Sequence, residues 1–207
     1  MQWLPFVLAC KMQANVTLLL LLLLVLCTRR LTHAQGVDLT LVPEANGTAV
    51  VQACIAKITQ AAIFTNDNQL LRRIAYVETN DGLDADTYTA NNDGGIWQLS
   101  ESKYLTTKST SSLQQQIQGI STSFSITWAN TQWQDLRIPL YSALAARLYF
   151  YLISASIPLA NDITGQANYW VNYYTSSGGT VTEFTTAVNQ LSTTEGKCVF
   201  TYLCTCM

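Results

Sequence analysis

Two groups of residues in this chain have the types and spacing for chemistry. The first is Glu78, which closes the mostly apolar run Leu70 to Val77 (LLRRIAYV). The second is the run Asp93-Gly94-Gly95-Ile96-Trp97-Gln98-Leu99, separated from Glu78 by a loop rich in Asp, Asn and Thr. A carboxyl group partly withdrawn from water keeps its proton to higher pH, because burial penalises the charged form, and such a group can act as a general acid near neutrality. The loop supplies further carboxylates at Asp84, Asp86 and Asp93. Acid catalysis of hydrolysis needs a second group of this kind to activate water or trap an intermediate. Asp93 is the most plausible of the three, because the turn at Gly94-Gly95 fixes it nearest the segment Ile96 to Leu99.

The elements that must hold these groups follow from local pattern. Asn66, Asp67 and Asn68 offer side-chain oxygens to free backbone N–H groups, which predicts a helix from there through Val77 and Glu78. At helical spacing Glu78 lies within about 60° of Leu71, Ile74 and Ala75, with Arg72, Arg73 and Tyr76 on the other side, so its carboxylate leans toward the core. Asn80-Asp81-Gly82 breaks the helix. Two adjacent glycines before an apolar segment let backbone approach closely, either to packed protein or to a ligand.

A helix ending in Glu, followed by Gly95-Ile96-Trp97-Gln98-Leu99, resembles the signature shared by goose-type lysozymes and soluble lytic transglycosylases. The resemblance implies a lysozyme-like fold with a small β element, Glu78 as the catalytic acid, and the glycine-led segment as the floor of a sugar groove. Gly95, Trp97 and Gln98 would then bind substrate. The run Tyr173-Tyr174-Thr175-Ser176-Ser177-Gly178 loosely resembles the segment that closes the groove in the transglycosylases, which adds Tyr174. Two positions depart from the pattern. Thr79 stands where transglycosylases have Ser, and Ser100 stands where goose-type enzymes often carry Asp, which removes one carboxylate from the expected set.

Composition narrows the alternatives. The 207 residues, 49% of them hydrophobic, suffice for one domain with a real core. Val16 to Cys27 is a leucine-dominated run followed by Arg29 and Arg30, with Thr32 and Ala34 as small residues: a secretory signal over residues 1–34, cleaved after Ala34, leaving a domain over 35–207. The run is short for a membrane span, although the basic pair after it also suits a signal anchor of reversed orientation. Cleavage would remove Lys11, Arg29 and Arg30 and the lone His33, leaving eight basic against 13 acidic side chains, a net −5. Nucleic acid and anionic membrane surfaces are then excluded as partners, as are histidine-based triads and histidine-ligated zinc. No cofactor and no metal are expected, and the chain reads as a secreted monomer whose partner is peptidoglycan or a chitin-like oligosaccharide.

Outside the leader, Cys54, Cys198, Cys204 and Cys206 make an even set suited to two disulfides in an oxidising compartment; zinc is the rival reading, and the one-residue gap in Cys204-Thr205-Cys206 suits it poorly. Asn46-Gly47-Thr48 is a glycosylation sequon.

The rest of the chain reads as mostly α-helical within an α+β class. Helical spacing predicts a helix from about Thr48 to Phe64, another over Leu113 to Phe124, a buried central helix over Leu140 to Ile153, one from Ile163 to Tyr174 capped by Asp162, and a last one opened by a Thr180/Glu183 capping box and ending near Leu191. Ser100 to Ser112 reads as a surface loop, and residues 87 to 99 as the site of any short strand pairing. Three functions compete: a secreted enzyme cleaving the β-1,4 bond between N-acetylmuramic acid and N-acetylglucosamine, a lysozyme-like module that binds glycan without turnover, and a disulfide-tied extracellular interaction domain. The cysteine framework is tested directly by non-reducing peptide mapping of the secreted chain. No free thiol should be found at Cys54, Cys198, Cys204 or Cys206, and two free thiols would refute the framework.

Overall fold

The computed structural model describes residues 36–89, 92–176 and 178–204, with side chains as far as Ser192. The expected leader and its cleavage site fall outside these residues. From Leu39 onward the described residues form one compact unit; of the unit Met1–Asp38 only residues 36–38 are described. Seven α-helices carry the larger unit: α1 Thr48–Ala61, α2 Leu70–Thr79, α3 Glu101–Ser109, α4 Gln114–Phe124, α5 Pro139–Leu152, α6 Ile163–Tyr169 and α7 Val181–Cys204. Trp170–Tyr174 continues α6 as a π-helical turn, and short 3₁₀ segments precede α4 and α5. The architecture is mostly helical. Among the described residues there is no strand: residues 87–89 and 92–99, where pairing was expected, form turns and irregular chain.

α5 is the central helix, as its nearly uniform apolar sequence predicts. Leu140, Ala143, Leu144, Ala145, Ala146, Leu148 and Phe150 are buried, and Pro139 occupies its first turn, where a missing N–H costs nothing. Buried with them is Arg147, paired with Asp67 at 3.1 Å. α1 packs its buried face, Val50, Val51, Cys54 and Ile58, into the same core.

Several boundaries differ from the sequence pattern for identifiable reasons. α2 starts at Leu70 because Asn66 and Asp67 spend their side-chain oxygens on the N–H groups of Asn68 and Gln69, and Asn68 and Gln69 both have positive φ. Arg73, expected on the outer side of α2, is buried, with its guanidinium donating to Gln166 Oε1 at 2.7 Å and to Ala160 O at 2.8 Å. The expected loop after Ser100 is instead α3, whose buried face consists of only Tyr104 and Thr107, too thin a stripe to show helical periodicity. α7 runs to Cys204, beyond the expected end near Leu191, after the capping box forms as predicted: Thr180 N donates to Glu183 Oε2 at 2.6 Å, and Glu183 N to Thr180 Oγ1 at 3.2 Å. Cys54 is fully buried, and the tail cysteines it was expected to join lie outside the described side chains. Asn46 of the sequon is exposed.

The glycine turn is where backbone approach is closest. Gly95 has φ +66°, and a Cβ there would stand 1.9 Å from Leu136 O and 2.7 Å from Ser142 Oγ. Any side chain would both strain the left-handed backbone and push the turn off α5. Gly95→Ala should therefore lower unfolding stability by about 3 kcal/mol or more. Chemical denaturation checks this, and a loss near zero would mean that the turn does not seat on α5 as described.

Candidate functional site

Glu78 sits in the last turn of α2, whose end is tied to the glycine turn. The Thr79 hydroxyl lies 2.8 Å from Ile96 O and 3.1 Å from Ala75 O, and accepts the N–H of Gly82 at 2.9 Å. Asp81, one turn on, is buried; it binds Arg72 through both carboxylate oxygens at 2.6 and 3.0 Å and accepts the Thr48 hydroxyl at 2.7 Å. The helix end therefore has two fixed points, one on the Gly95 turn and one on the start of α1. Glu78 immediately precedes the first of these points, so its backbone is held where the helix ends.

The Glu78 carboxyl meets an aromatic donor and a cation. Trp170 Nε1 donates to Glu78 Oε1 at 2.6 Å. Lys103, from α3, adds a favourable charge. Burial outweighs both and pushes the carboxyl from its ordinary 4.5 up to about 7. Lys103 itself is held by donating to the carbonyls of Tyr174 and Thr175 and to Ser176 Oγ, so α3 is clamped to the end of the π-helical turn. The sequence alone places no cation beside Glu78; Lys103 comes from a helix that its pattern did not reveal.

Glu78 opens onto a cleft of about 300 Å³. Gln98, Leu99 and Ser100 run along it from the glycine turn, Asn92 and Ser176 stand at its edges, and Glu101 and Trp133 complete it. Gln98 has φ +47°, and its amide folds back onto Gly95 O at 2.8 Å and Thr87 O at 3.2 Å. Trp133 is half-buried, its ring oriented by an Nε1 donation to Leu99 O at 2.9 Å. A fixed, partly open indole beside polar side chains is a surface on which the apolar face of a sugar ring can stack.

The expected site residues divide. Glu78 and Gln98 share the cleft. Trp97 does not reach it: the side chain is fully buried, with Nε1 donating to Leu71 O at 2.8 Å. Gly95 is buried beneath the cleft, and Tyr174 is also buried, its hydroxyl donating to Trp97 O at 2.7 Å. None of these three is among the residues that line the cleft. Asp93 does not line the cleft; its carboxylate is engaged by Arg137 Nη1 at 2.8 Å, and Arg137 also binds Glu44 at 2.7 Å. Asp84 and Asp86 are exposed on the loop. Pattern reading missed Glu101, Trp133, Lys103 and Trp170. Trp133 carried a readable sign, since a tryptophan flanked by Thr131, Gln132, Gln134 and Asp135 suits a half-open position better than a core one. Among the described residues no group of His, Cys, Asp and Glu is arranged to hold a metal ion. No family model, curated protein or solved structure matches the chain.

The raised carboxyl has a consequence for stability. Unfolded, Glu78 loses its proton near 4.5; folded, it keeps it to about 7. Between these values the folded state binds more protons, so stability falls as pH rises through this window and levels off above it. The full displacement corresponds to at most about 3 kcal/mol. Glu78→Gln should remove this slope and leave the variant more stable than the natural chain at pH 8 while matching it near pH 4. Urea denaturation across pH 4 to 8 measures it, and parallel stability curves for the two proteins would contradict the burial of a titrating Glu78.

Proposed function

We propose that the chain is a secreted glycan-cleaving enzyme with a lysozyme-like fold, similar to goose-type lysozymes and lytic transglycosylases, acting on the β-1,4 bond between N-acetylmuramic acid and N-acetylglucosamine. The observation that carries this reading is a carboxyl group raised to about 7 at the wall of a cleft that also holds a half-open tryptophan and a second carboxylate. A sugar chain seated against Trp133 brings a glycosidic oxygen to Glu78. The protonated carboxyl gives its proton to that oxygen as the bond to the anomeric carbon breaks, and the bonding pair leaves with the oxygen as a hydroxyl on the departing sugar.

Water completes the reaction in the hydrolytic route. Glu101, exposed in the first turn of α3 and lining the same cleft, is the base in this reading. It takes a proton from water as the water oxygen bonds to the anomeric carbon. Asp93, the carboxylate singled out by sequence, is held by Arg137 and is not assigned this step. Without such a base, the muramic acid 6-hydroxyl closes on its own anomeric carbon and gives a 1,6-anhydro product.

Release of soluble fragments from purified peptidoglycan, followed by mass spectrometry, tests the proposal. Glu78→Gln should lower release by about 10²-fold to 10⁴-fold, the range usual for loss of a general acid. Glu101→Gln should lower hydrolytic product and leave proportionally more of the anhydro form, which is one water lighter. Full activity in Glu78→Gln eliminates the acid assignment, while binding without release by the natural chain favours a glycan-binding module.

A further inference from the structure

A carboxylic acid delivers a proton usefully only from the oxygen that faces its acceptor. The two oxygens of Glu78 are not equivalent here. Oε1 lies 2.6 Å from the indole Nε1 of Trp170, and an indole N–H donates but cannot accept. Oε1 therefore presents a lone pair to Trp170 in both protonation states, and because the carbonyl oxygen of an acid accepts better than its hydroxyl oxygen, the indole favours the proton of the neutral acid on Oε2.

The indole is itself held on every side. Trp170 is buried and begins the π-helical turn, closed by Thr175 N donating to Trp170 O at 2.9 Å. Its ring packs on Phe184 of α7 at 5.6 Å between centroids. From the far side Gly179 presses so closely that a Cβ there would lie 2.0 Å from the ring carbon Cη2. A π-turn shifts the side chains after it by one position relative to an α-helix, and such turns recur at functional sites. Here Trp170 opens the turn against Glu78 and Tyr174 closes it against Trp97 O.

We infer that Trp170 is a positioning residue that assigns the transferable proton of Glu78 to Oε2 and, after transfer, stabilises the carboxylate through Oε1. This deepens the proposed glycosidase reading and rests on it for the identity of the acceptor. The assignment of oxygens stands on the geometry alone. The other charged or titratable groups around the carboxyl are Lys103, whose charge favours the ionised form, Tyr174, buried and neutral, and Glu101 at the cleft; Glu183 of α7 is turned onto Thr180 N.

The first test uses the unaltered protein. In ¹H–¹⁵N spectra the Trp170 indole resonance should move with pH in a single step with its midpoint at about 7, matching the ¹³C titration of the Glu78 carboxyl. The second test uses Trp170→Phe, which keeps an aromatic ring and removes the indole donor. With the hydrogen bond to the ionised form lost, the Glu78 midpoint should rise by about one unit, and the alkaline limb of the pH–rate profile should rise with it. The kcat should fall about tenfold with KM little changed, since contact with the sugar is not what is lost. An indole resonance that ignores the Glu78 titration, or a carboxyl midpoint unmoved in Trp170→Phe, overturns the inference. The spectroscopic readouts need no glycan, so they stand or fall separately from the glycosidase reading: a coupled titration with no fragment release would keep the hydrogen-bonded assignment and remove the reaction.

Discussion

Trp97 is the point through which the site is assembled. Its indole donates to Leu71 O in α2, its backbone N–H to Ser142 Oγ in α5, and its carbonyl accepts the Tyr174 hydroxyl from the π-helical turn. Each of these polar groups is buried, where a lost partner costs more than the bond is worth in water. The three partners come from three separate elements, so the glycine turn cannot move without unsatisfying at least one of them. Gly95 allows this arrangement, because it alone leaves room for Leu136 O and Ser142 Oγ above the turn. The cleft is thus built on a rigid floor, and the residue that looked from sequence like a sugar contact is the one that makes the floor rigid.

Within this frame the electrostatics of Glu78 follow from competition. Burial disfavours the carboxylate, while an indole N–H and a nearby lysine favour it, and burial wins by enough to bring the group to about 7 but not beyond use. Lys103 has a double part: its ammonium donates to the carbonyls that end the π-helical turn, and its charge favours the ionised form of Glu78. Asp81, three residues along, has a structural part instead. It is buried, and a two-pronged pairing with Arg72 makes it a structural anchor.

Much of this was legible in residue pattern. An apolar run closing on Glu78, a break at Asn80-Asp81-Gly82, and two glycines before an apolar segment are local signals, and they correctly indicate a carboxyl leaning inward and a close backbone approach. The nearly all-apolar α5 and the Asp162 and Thr180 caps are equally local. What escaped is nonlocal or weakly patterned. α3 buries one tyrosine and one threonine, so its helical period is faint, and with it were lost Lys103 and Glu101. Trp170 lies within an aromatic cluster whose core members and site members share the same spacing; only the π-turn separates them, and nothing in residue type announces it. Asp93 seemed placed by its glycines, but Arg137, distant in sequence, claims it.

The central claim, that the Glu78 cleft receives a sugar chain across Trp133, is tested most directly by titrating the Glu78→Gln protein with a chitin-like oligosaccharide while following the tryptophan indole N–H resonances. Trp133 is half-open to the cleft, whereas Trp97 and Trp128 are almost wholly buried. The account predicts that the Trp133 signal shifts and saturates while those of Trp97 and Trp128 stay in place. An unmoved Trp133 signal at saturating oligosaccharide, or shifts confined to residues remote from the cleft, would contradict it.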